Sequence, residues 1–170
     1  MDRHEVRQEL DQPAAQQLLQ HAGLARLAYN GPDGLPRVVP VGFLWNGENV
    51  VVCTGTTAPK VRAISERPEV ALTIDVGDTP DGAKALLMRG VATVDIVDGV
   101  ADEYLAMSRK GLAEELGEEG FAEFERQVRA TYDAMARISV EPRWARLYDF
   151  GAGRLPAYLA DLVANAAQNQ

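Results

Sequence analysis

The chain has 170 residues, of which 46% are apolar and 25% are charged, a composition that suits one globular domain with a sizeable core. Its net charge of −8 comes from 17 basic and 25 acidic residues. This charge argues against a general DNA or RNA binder, because phosphate neutralisation requires a basic face. The single cysteine, Cys53, excludes an internal disulfide and is expected to be a buried strand residue. No apolar run suits a signal peptide or a membrane span, so we expect a cytoplasmic protein.

The first predicted element is a helix that begins near Pro13 and ends at Gly23. A short second helix begins near Pro59 and ends before Pro68. Between and after these helices, apolar alternation and β-branched runs predict strands, which are separated by turn sequences such as Asn46-Gly47 and a loop at 77–82. The predicted strands are 24–29, 37–45, 48–54, 70–76, 84–97 and 138–150.

The longest predicted strand, 84–97, has one face that is apolar throughout, which is the clearest period-two pattern in the chain. That face consists of Leu86, Met88, Gly90, Ala92, Val94 and Ile96.

The segment 98–129 is helical and acidic in character. It holds nine acidic and four basic residues, and such a charge run is most simply a solvent-facing surface. Glycines at 117–120 predict that it is divided into two helices, and a last helix is predicted at 156–167. We therefore expect one domain, 1–170, with a helical insertion at about 98–136 that lies on the outside and does not bind nucleic acid.

The order of these elements predicts the fold class. Six mostly antiparallel strands with helices in the connections indicate an α+β, mainly antiparallel β protein. The pattern favours a small closed barrel flanked by helices.

The segment 54–62 is the most suggestive for chemistry. A strand ends there, a threonine-rich turn follows, and a helix starts at once, with Thr56 or Thr57 placed to cap it. A helix N-terminus favours a phosphate, to which Lys60 adds a charge on the first turn, and Arg62 follows two residues later. The alternative is a plain capped helix with two solvated cations.

The strand at 38–45 contains Pro40 and Gly42, which are out of place in a central strand. An edge strand with a kink explains them, and so does a ligand that approaches the backbone. Trp45 is expected in the core or in a dimer contact.

No sequence motif identifies catalytic residues. The chain lacks a phosphate-binding P-loop, a dinucleotide-binding glycine motif and a zinc-protease motif. No metal-ligand spacing is present, so we expect no metal site. Tyr29 and Arg37 are the weak candidates for orienting a substrate, and the catalytic residues stay unknown.

Taken together, several stretches resemble the pyridoxamine 5′-phosphate oxidase-like superfamily of split-barrel flavin and deazaflavin oxidoreductases. The similarity covers most of 15–97 and, more weakly, 138–150. It rests on the order and spacing of the matching stretches, since no single motif is specific. These stretches are 23–28, 34–41, 54–62, 66–73 and 86–92.

The resemblance implies a six-stranded split β-barrel and a homodimer that binds FMN at the subunit interface. Lys60 resembles the family's phosphate-binding lysine, and Thr54 and Thr57 resemble the hydroxyl residues beside it. Further residues that the resemblance places at or near the cofactor groove are Val39, Val41, Phe43, Arg37 and Arg62.

The resemblance leaves the cofactor open between FMN and F420. F420 carries an acidic tail, for which Arg62, Arg89 and Lys84 offer charge. Haem is disfavoured, because only His4 and His21 offer an axial imidazole. Vitamin B6 oxidation would need further basic residues that the sequence does not place.

The expected function is therefore a flavin- or deazaflavin-dependent oxidoreductase that acts on a small molecule. The alternative is a non-catalytic protein that binds or carries a flavin, F420 or haem.

Overall fold

A computed structural model describes residues 1–77, 79 and 82–168, so positions 78, 80 and 81 of the predicted loop lie outside the described residues. The described residues form five helices and seven strands. In chain order these are α1 (Arg3–Leu10), α2 (Pro13–His21), β1 (Leu24–Asn30), β2 (Pro36–Gly42), β3 (Leu44–Trp45), β4 (Val50–Gly55), α3 (Pro59–Glu66), β5 (Glu69–Val76), β6 (Lys84–Asp98), α4 (Asp102–Thr131), β7 (Ala134–Asp149) and α5 (Ala157–Gln168).

The strands form one antiparallel sheet in the order β2-β1-β5-β6-β7-β4-β3. All six predicted strands are present, and the second is divided by Phe43 into β2 and β3. These two pieces lie at opposite edges of the sheet, so the chain passes from one edge to the other through this single residue. The hydrogen-bond ladder is not closed there. The expectation of a closed barrel is therefore wrong, and the fold is a split barrel with flanking helices.

The inner face of the sheet forms the main core. Alternate residues of the strands point inward, as their period of two predicts, and α2 and α3 add Leu19 and Ile64. The apolar face of β6 is buried through Ala92, whereas Val94 is half-buried and Ile96 is exposed. The prediction that this face is apolar throughout therefore overestimates how far the core extends along β6.

Helix α1 was not expected from the sequence. Asp2 and Glu5 form a capping box, in which the Glu5 N–H donates to Asp2 at 2.8 Å and the Asp2 N–H donates to Glu5 at 2.7 Å. Val6 and Leu10, four residues apart, are buried in the core. The Asp-x-x-Glu spacing followed by this apolar pair is the sequence signal that predicts such a helix.

The acidic insertion lies on the outside as two helical pieces, as predicted. Gly117 has a φ of 67°, and this left-handed residue divides α4 near the expected position. The first piece packs on β3 and β4, where Tyr104 and Met107 cover Val51 and Cys53. The insertion is shorter than expected, because β6 runs on to Asp98 and β7 begins at Ala134.

No helix among the described residues combines the length and the apolar character that crossing a membrane requires.

Candidate cofactor site

The turn from β4 into α3 has an uncapped helix start. Ala58 is the N-cap residue of α3, it makes no side-chain capping bond, and Pro59 follows at the first helical position. The prediction that Thr56 or Thr57 caps the helix is therefore wrong. The hydroxyls of Thr54, Thr56 and Thr57 make no hydrogen bond to any residue that the structure describes. The turn thus presents unengaged threonine hydroxyls, whereas the N–H groups of Ala58 and Val61 donate to the carbonyls of Gly55 and Ala58 at 3.1 and 2.9 Å.

Lys60 lies on the inner face of α3. It is half-buried and shares that face with Ile64, one turn further on, which is fully buried. No described carboxylate lies within ion-pair distance of its Nζ, and burial lowers the pKa of Lys60. A desolvated cation without a partner is unfavourable, so a bound anion would compensate it.

Arg62 points away from Lys60. Its side chain is 87% exposed and forms an ion pair with Glu66, with 2.8 Å between Nε and Oε1. This pairing raises the pKa of Arg62. Arg62 lines a cavity of about 450 Å³ together with Thr56, Thr57 and Pro32, and Lys60 is not among its lining residues. The structure therefore brings Thr57 and Arg62 together at this cavity, and Lys60 does not line it.

Arg37 is held within the β1–β2 turn. Its Nη2 donates to Asp33 at 2.7 Å and its Nη1 donates to the Leu35 carbonyl at 3.2 Å. The hydrogen bond from Arg37 lowers the pKa of Asp33 and raises that of Arg37. The Asp33–Arg37 pair packs closely over Gly31, where a Cβ would lie 2.9 Å from an Asp33 oxygen. Arg37 is therefore engaged, and binding a ligand would compete with Asp33.

The side chains of β2 and of the following Phe43 that were expected beside a cofactor ring point into the core. Val41 and Phe43 are buried, Phe43 to 1% exposure, and Val39 packs against the same cluster. Pro40 is tolerated because β2 is an edge strand. A Cβ at Gly42 would lie 3.4 Å from the sulfur of Met107 in α4, an ordinary van der Waals contact, so packing does not require a glycine there. A ligand along β2 would therefore meet its backbone rather than these side chains.

Two contacts around this region were not found from the sequence. Arg67, at the end of α3, donates from Nη1 to the Gly31 carbonyl at 2.8 Å and so links α3 to the β1–β2 turn. Lys110 of α4 lies over the Phe43 ring, 4.7 Å from its centroid, and burial lowers the pKa of Lys110. No local pattern predicts either contact, because the partners are far apart in the chain.

Four of the 17 basic residues have no described carboxylate within ion-pair distance: Lys60, Arg67, Arg89 and Lys110. The chain has eight more acidic than basic residues, and most of its basic side chains form an ion pair. A basic side chain without an acidic partner is therefore a candidate for binding an anionic ligand. No described acid competes with an anionic ligand for these four residues.

The described residues do not assemble a nucleophile or a metal centre. They contain no group of three or more His, Cys, Asp or Glu side chains that could hold a metal ion. Cys53 is buried under α4, and burial raises the pKa of its thiol to about 11, so it is a thiol rather than a thiolate at neutral pH. Binding chemistry is therefore better supported here than side-chain catalysis.

The sequence model of the pyridoxamine 5′-phosphate oxidase family matches residues 11–147. The chain belongs to this family. The match contains every strand of the barrel apart from the last residues of β7, and it confirms the resemblance found in the sequence. No curated protein matches the chain.

Solved structures confirm the fold. An F420 reductase is 27% identical, with a TM-score of 0.57 over 77% of this chain and 94% of its own. The conserved hypothetical protein Rv2991 from Mycobacterium tuberculosis is 18% identical, with a TM-score of 0.61 over 92% of this chain and 89% of its own. The haem storage protein HutZ from Vibrio cholerae is 20% identical, with a TM-score of 0.56 over 83% and 96%. The last two are similar to this chain in fold alone.

Proposed function

We propose that this protein is an oxidoreductase that uses FMN or F420 to reduce or oxidise a small molecule, with the cofactor phosphate bound at the start of α3. The observation that carries the proposal is Lys60, a half-buried lysine with no described acidic partner. It lies on the first turn of an uncapped helix, where the helix dipole favours a dianion.

The residues present fit a phosphate-bearing cofactor. Lys60 would bind the phosphate through Nζ, and the unengaged hydroxyls of Thr54 and Thr57 would donate hydrogen bonds to it. The ring would lie along the backbone of β2, because the side chains of that strand are turned inward. When bound, FMN or F420 supplies the hydride or electron transfer, and the protein binds and orients it.

The two cofactors share the phosphate and differ in the rest. FMN is the first choice, since one phosphate site and one ring slot suffice for it. F420 is supported by the 27% identity to an F420 reductase, but its acidic tail needs further cations. Of the three that the sequence offered, Arg62 and Lys84 are paired with Glu66 and Asp149, and Arg89 has no described acidic partner.

A haem protein is less well supported. Haem requires an axial ligand, and the two histidines are poorly placed for one. His4 makes a 3.0 Å contact with the Gln8 amide within α1, and His21 is exposed at the end of α2.

The proposed enzyme is a homodimer in which the second subunit completes the cofactor groove. The outer face of β1 and β2 supports this assembly, because it exposes apolar residues that no described helix covers. Val38 is 64% exposed and Leu24 is 58% exposed. A face of this kind suits an isologous contact between two copies. Sedimentation at micromolar concentration that shows only an 18.5 kDa species would contradict the dimer.

The test is the absorption spectrum of the purified protein, together with mass spectrometry of the small molecule released on denaturation. We expect FMN or F420, and the mass distinguishes them. Bleaching of the spectrum by a nicotinamide donor or by a reducing substrate supports the enzyme. A tightly held cofactor that no donor reduces and no substrate reoxidises would support a carrier instead, and a haem spectrum would contradict the proposal.

A further inference from the structure

Two charged side chains on the outer face of the sheet have no partner within the described part of the chain. Glu69 of β5 and Arg89 of β6 are both exposed, and neither lies within ion-pair distance of an opposite charge there. The other charged residues of β1, of β5 and of the part of β6 that pairs with β5 are engaged in ion pairs, Arg26 with Asp75 and Lys84 with Asp149. One unpaired cation and one unpaired anion therefore remain on this part of the sheet.

The strand register places both charges on the face that was proposed above for the subunit contact. Arg89 pairs with Ala71, Ala71 pairs with Ala28, and Ala28 pairs with Val38, so these residues form one row across the sheet. The sequence neighbours of Arg89 are buried, and the row therefore faces outward. Glu69 lies two residues before Ala71 on β5 and faces the same way.

Glu69 and Arg89 are diagonal neighbours that do not pair with each other. Glu69 pairs in register with Val91, two residues after Arg89 on β6, and a long side chain can span such a diagonal. The guanidinium of Arg89 lies instead over Trp144, its register partner on β7, with 4.1 Å between Cζ and the ring centroid. This stacking leaves the N–H donors in the guanidinium plane free. Arg89 is thus held towards β7, and Glu69 stays without a cation.

A third charged group close to this face is already paired. The register of β6 against β7 shifts between Arg89 and Gly90, so Arg143 is the extra residue of a β-bulge. Its Nη2 lies 2.7 Å from Oε2 of Glu141. The bulge therefore adds no unpaired charge to the face.

The residues beside the two charges are apolar. Glu69 and Arg89 occupy two opposite corners of a rectangle on the β5–β6 pair, and Ala71 and Val91 occupy the other two. A protein surface that covers this face removes water from both charges. A charge that loses its water without gaining a partner is unfavourable, so a stable covering surface presents a cation to Glu69 and an anion to Arg89.

From these relationships we infer that the covering surface is a second copy of this chain, in which Arg89 of each subunit forms an ion pair with Glu69 of the partner subunit. In an isologous contact the same two residues meet twice, once from each side. One unpaired cation and one unpaired anion on one face satisfy that requirement. The inference rests on the homodimer of the proposed function and adds the two residues that select the partner and fix its orientation.

The positions of these residues on the sheet suit such a contact. A two-fold axis that lies in the contact plane and passes between Glu69 and Arg89 brings each residue over the position of the other. The same axis runs close to Ala71 and Val91, so that each of these faces its own copy. Apolar residues pack well in that arrangement, whereas like charges would repel. The face is therefore complementary to itself in charge and apolar at the axis.

The test reverses one charge of the pair in each of two variants. In Arg89→Glu, two acids would face each other at both contacts, and in Glu69→Arg, two cations would. We expect the dimer dissociation constant of each variant to rise by about a hundred-fold or more, as measured by sedimentation velocity over a dilution series. When the two variants are mixed, opposite charges face each other at both contacts. The mixture is therefore expected to form a heterodimer with nearly the affinity of the parent dimer, and native mass spectrometry identifies its composition.

The matched control is Arg129→Glu, which changes the net charge by the same amount as Arg89→Glu. Arg129 lies on α4 and pairs with Glu125 at 2.9 Å between Nη2 and Oε1, away from β5 and β6. This variant should dimerise like the parent protein. Recovery of the heterodimer also shows that both charge-reversed chains are folded, because an unfolded chain would not restore the contact.

Two outcomes would overturn the pairing and keep the dimer: an unchanged dissociation constant in both charge-reversed variants, or a mixture that dissociates as readily as each variant alone. A parent protein that stays monomeric at micromolar concentration would overturn both. Sedimentation reads the pairing without the cofactor. A parent dimer and a recovered heterodimer that show no flavin or deazaflavin spectrum would therefore contradict the proposed oxidoreductase and leave the pairing standing.

Discussion

Glu9 and Arg154 lie 145 positions apart in the chain and form a bidentate ion pair. The Nη2 of Arg154 donates to both carboxylate oxygens of Glu9, at 3.0 and 2.8 Å. The Leu147 N–H donates to the same carboxylate at 2.9 Å. The Glu9 side chain, which is 13% exposed, therefore links helix α1 to the end of β7.

Removing this carboxylate is expected to destabilise the fold. Glu9→Ala deletes the ion pair and leaves the Leu147 N–H without its acceptor, so the free energy of unfolding should fall by about 1–3 kcal/mol. Urea unfolding followed by circular dichroism measures it. The matched control is Arg3→Ala, because Arg3 is 96% exposed and lies 3.7 Å from Glu141; it should change stability by less than about 0.5 kcal/mol. Equal losses in both variants would mean that Glu9 does not anchor α1.

Lys60→Ala is expected to weaken binding of FMN or F420 by about ten- to a hundred-fold, because it removes one charge-assisted hydrogen bond to the phosphate. Arg62→Ala should have a smaller effect, since Arg62 faces away and is engaged by Glu66. A fluorescence titration of each variant with the cofactor measures both. Unchanged affinity in Lys60→Ala, with an unchanged thermal melt, would place the phosphate elsewhere.

The same lysine should lower the stability of the cofactor-free protein at neutral pH. Burial lowers the pKa of Lys60 below its unfolded value of 10.5. Between the two values the unfolded chain holds more protons, so stability rises with pH in that interval. Cofactor-free Lys60→Met is therefore expected to be at least as stable as the parent protein at pH 7. The difference in stability between the variant and the parent should shrink as the pH rises through the folded-state pKa of Lys60 towards 10.5. Thermal melts at a series of pH values measure the difference, and an advantage that grows with pH would contradict the assignment.

Gly90→Ala is expected to destabilise the barrel at the β6–β7 bulge. A Cβ at this position would lie 2.2 Å from the carbonyl oxygen of Glu141, a backbone atom that cannot rotate away. We expect a loss of about 3 kcal/mol in the free energy of unfolding, at the upper end for overpacking. Gly111→Ala in α4 is the control. That site is open, so the exchange should raise stability by up to about 1 kcal/mol. A neutral Gly90→Ala would show that the bulge relaxes.

The strand order along the chain could be predicted because its signals are local. Turn residues such as Asn46-Gly47 and the period of two in β6 depend on a few neighbouring residues, and so does the break of α4 at Gly117. Helix α1 had a local signal too, the Asp2–Glu5 capping box. By contrast, nothing local shows that the chain crosses from one sheet edge to the other at Phe43, because that depends on which strands pair across the whole fold.

In the candidate site, too, some features could be predicted from the sequence and others could not. The sequence by itself determined that a lysine follows a strand and a threonine turn on the first turn of a helix, since residues 54–60 are contiguous. Only the tertiary structure decided which cations have acidic partners: Glu66 pairs with Arg62 and Asp149 pairs with Lys84, while Lys60 and Arg89 have no acidic partner among the described residues. It also decided that Val41 and Phe43 fill the core. Charge pairing and burial depend on residues distant in the chain that folding brings within a few ångströms, and no local pattern encodes those distances.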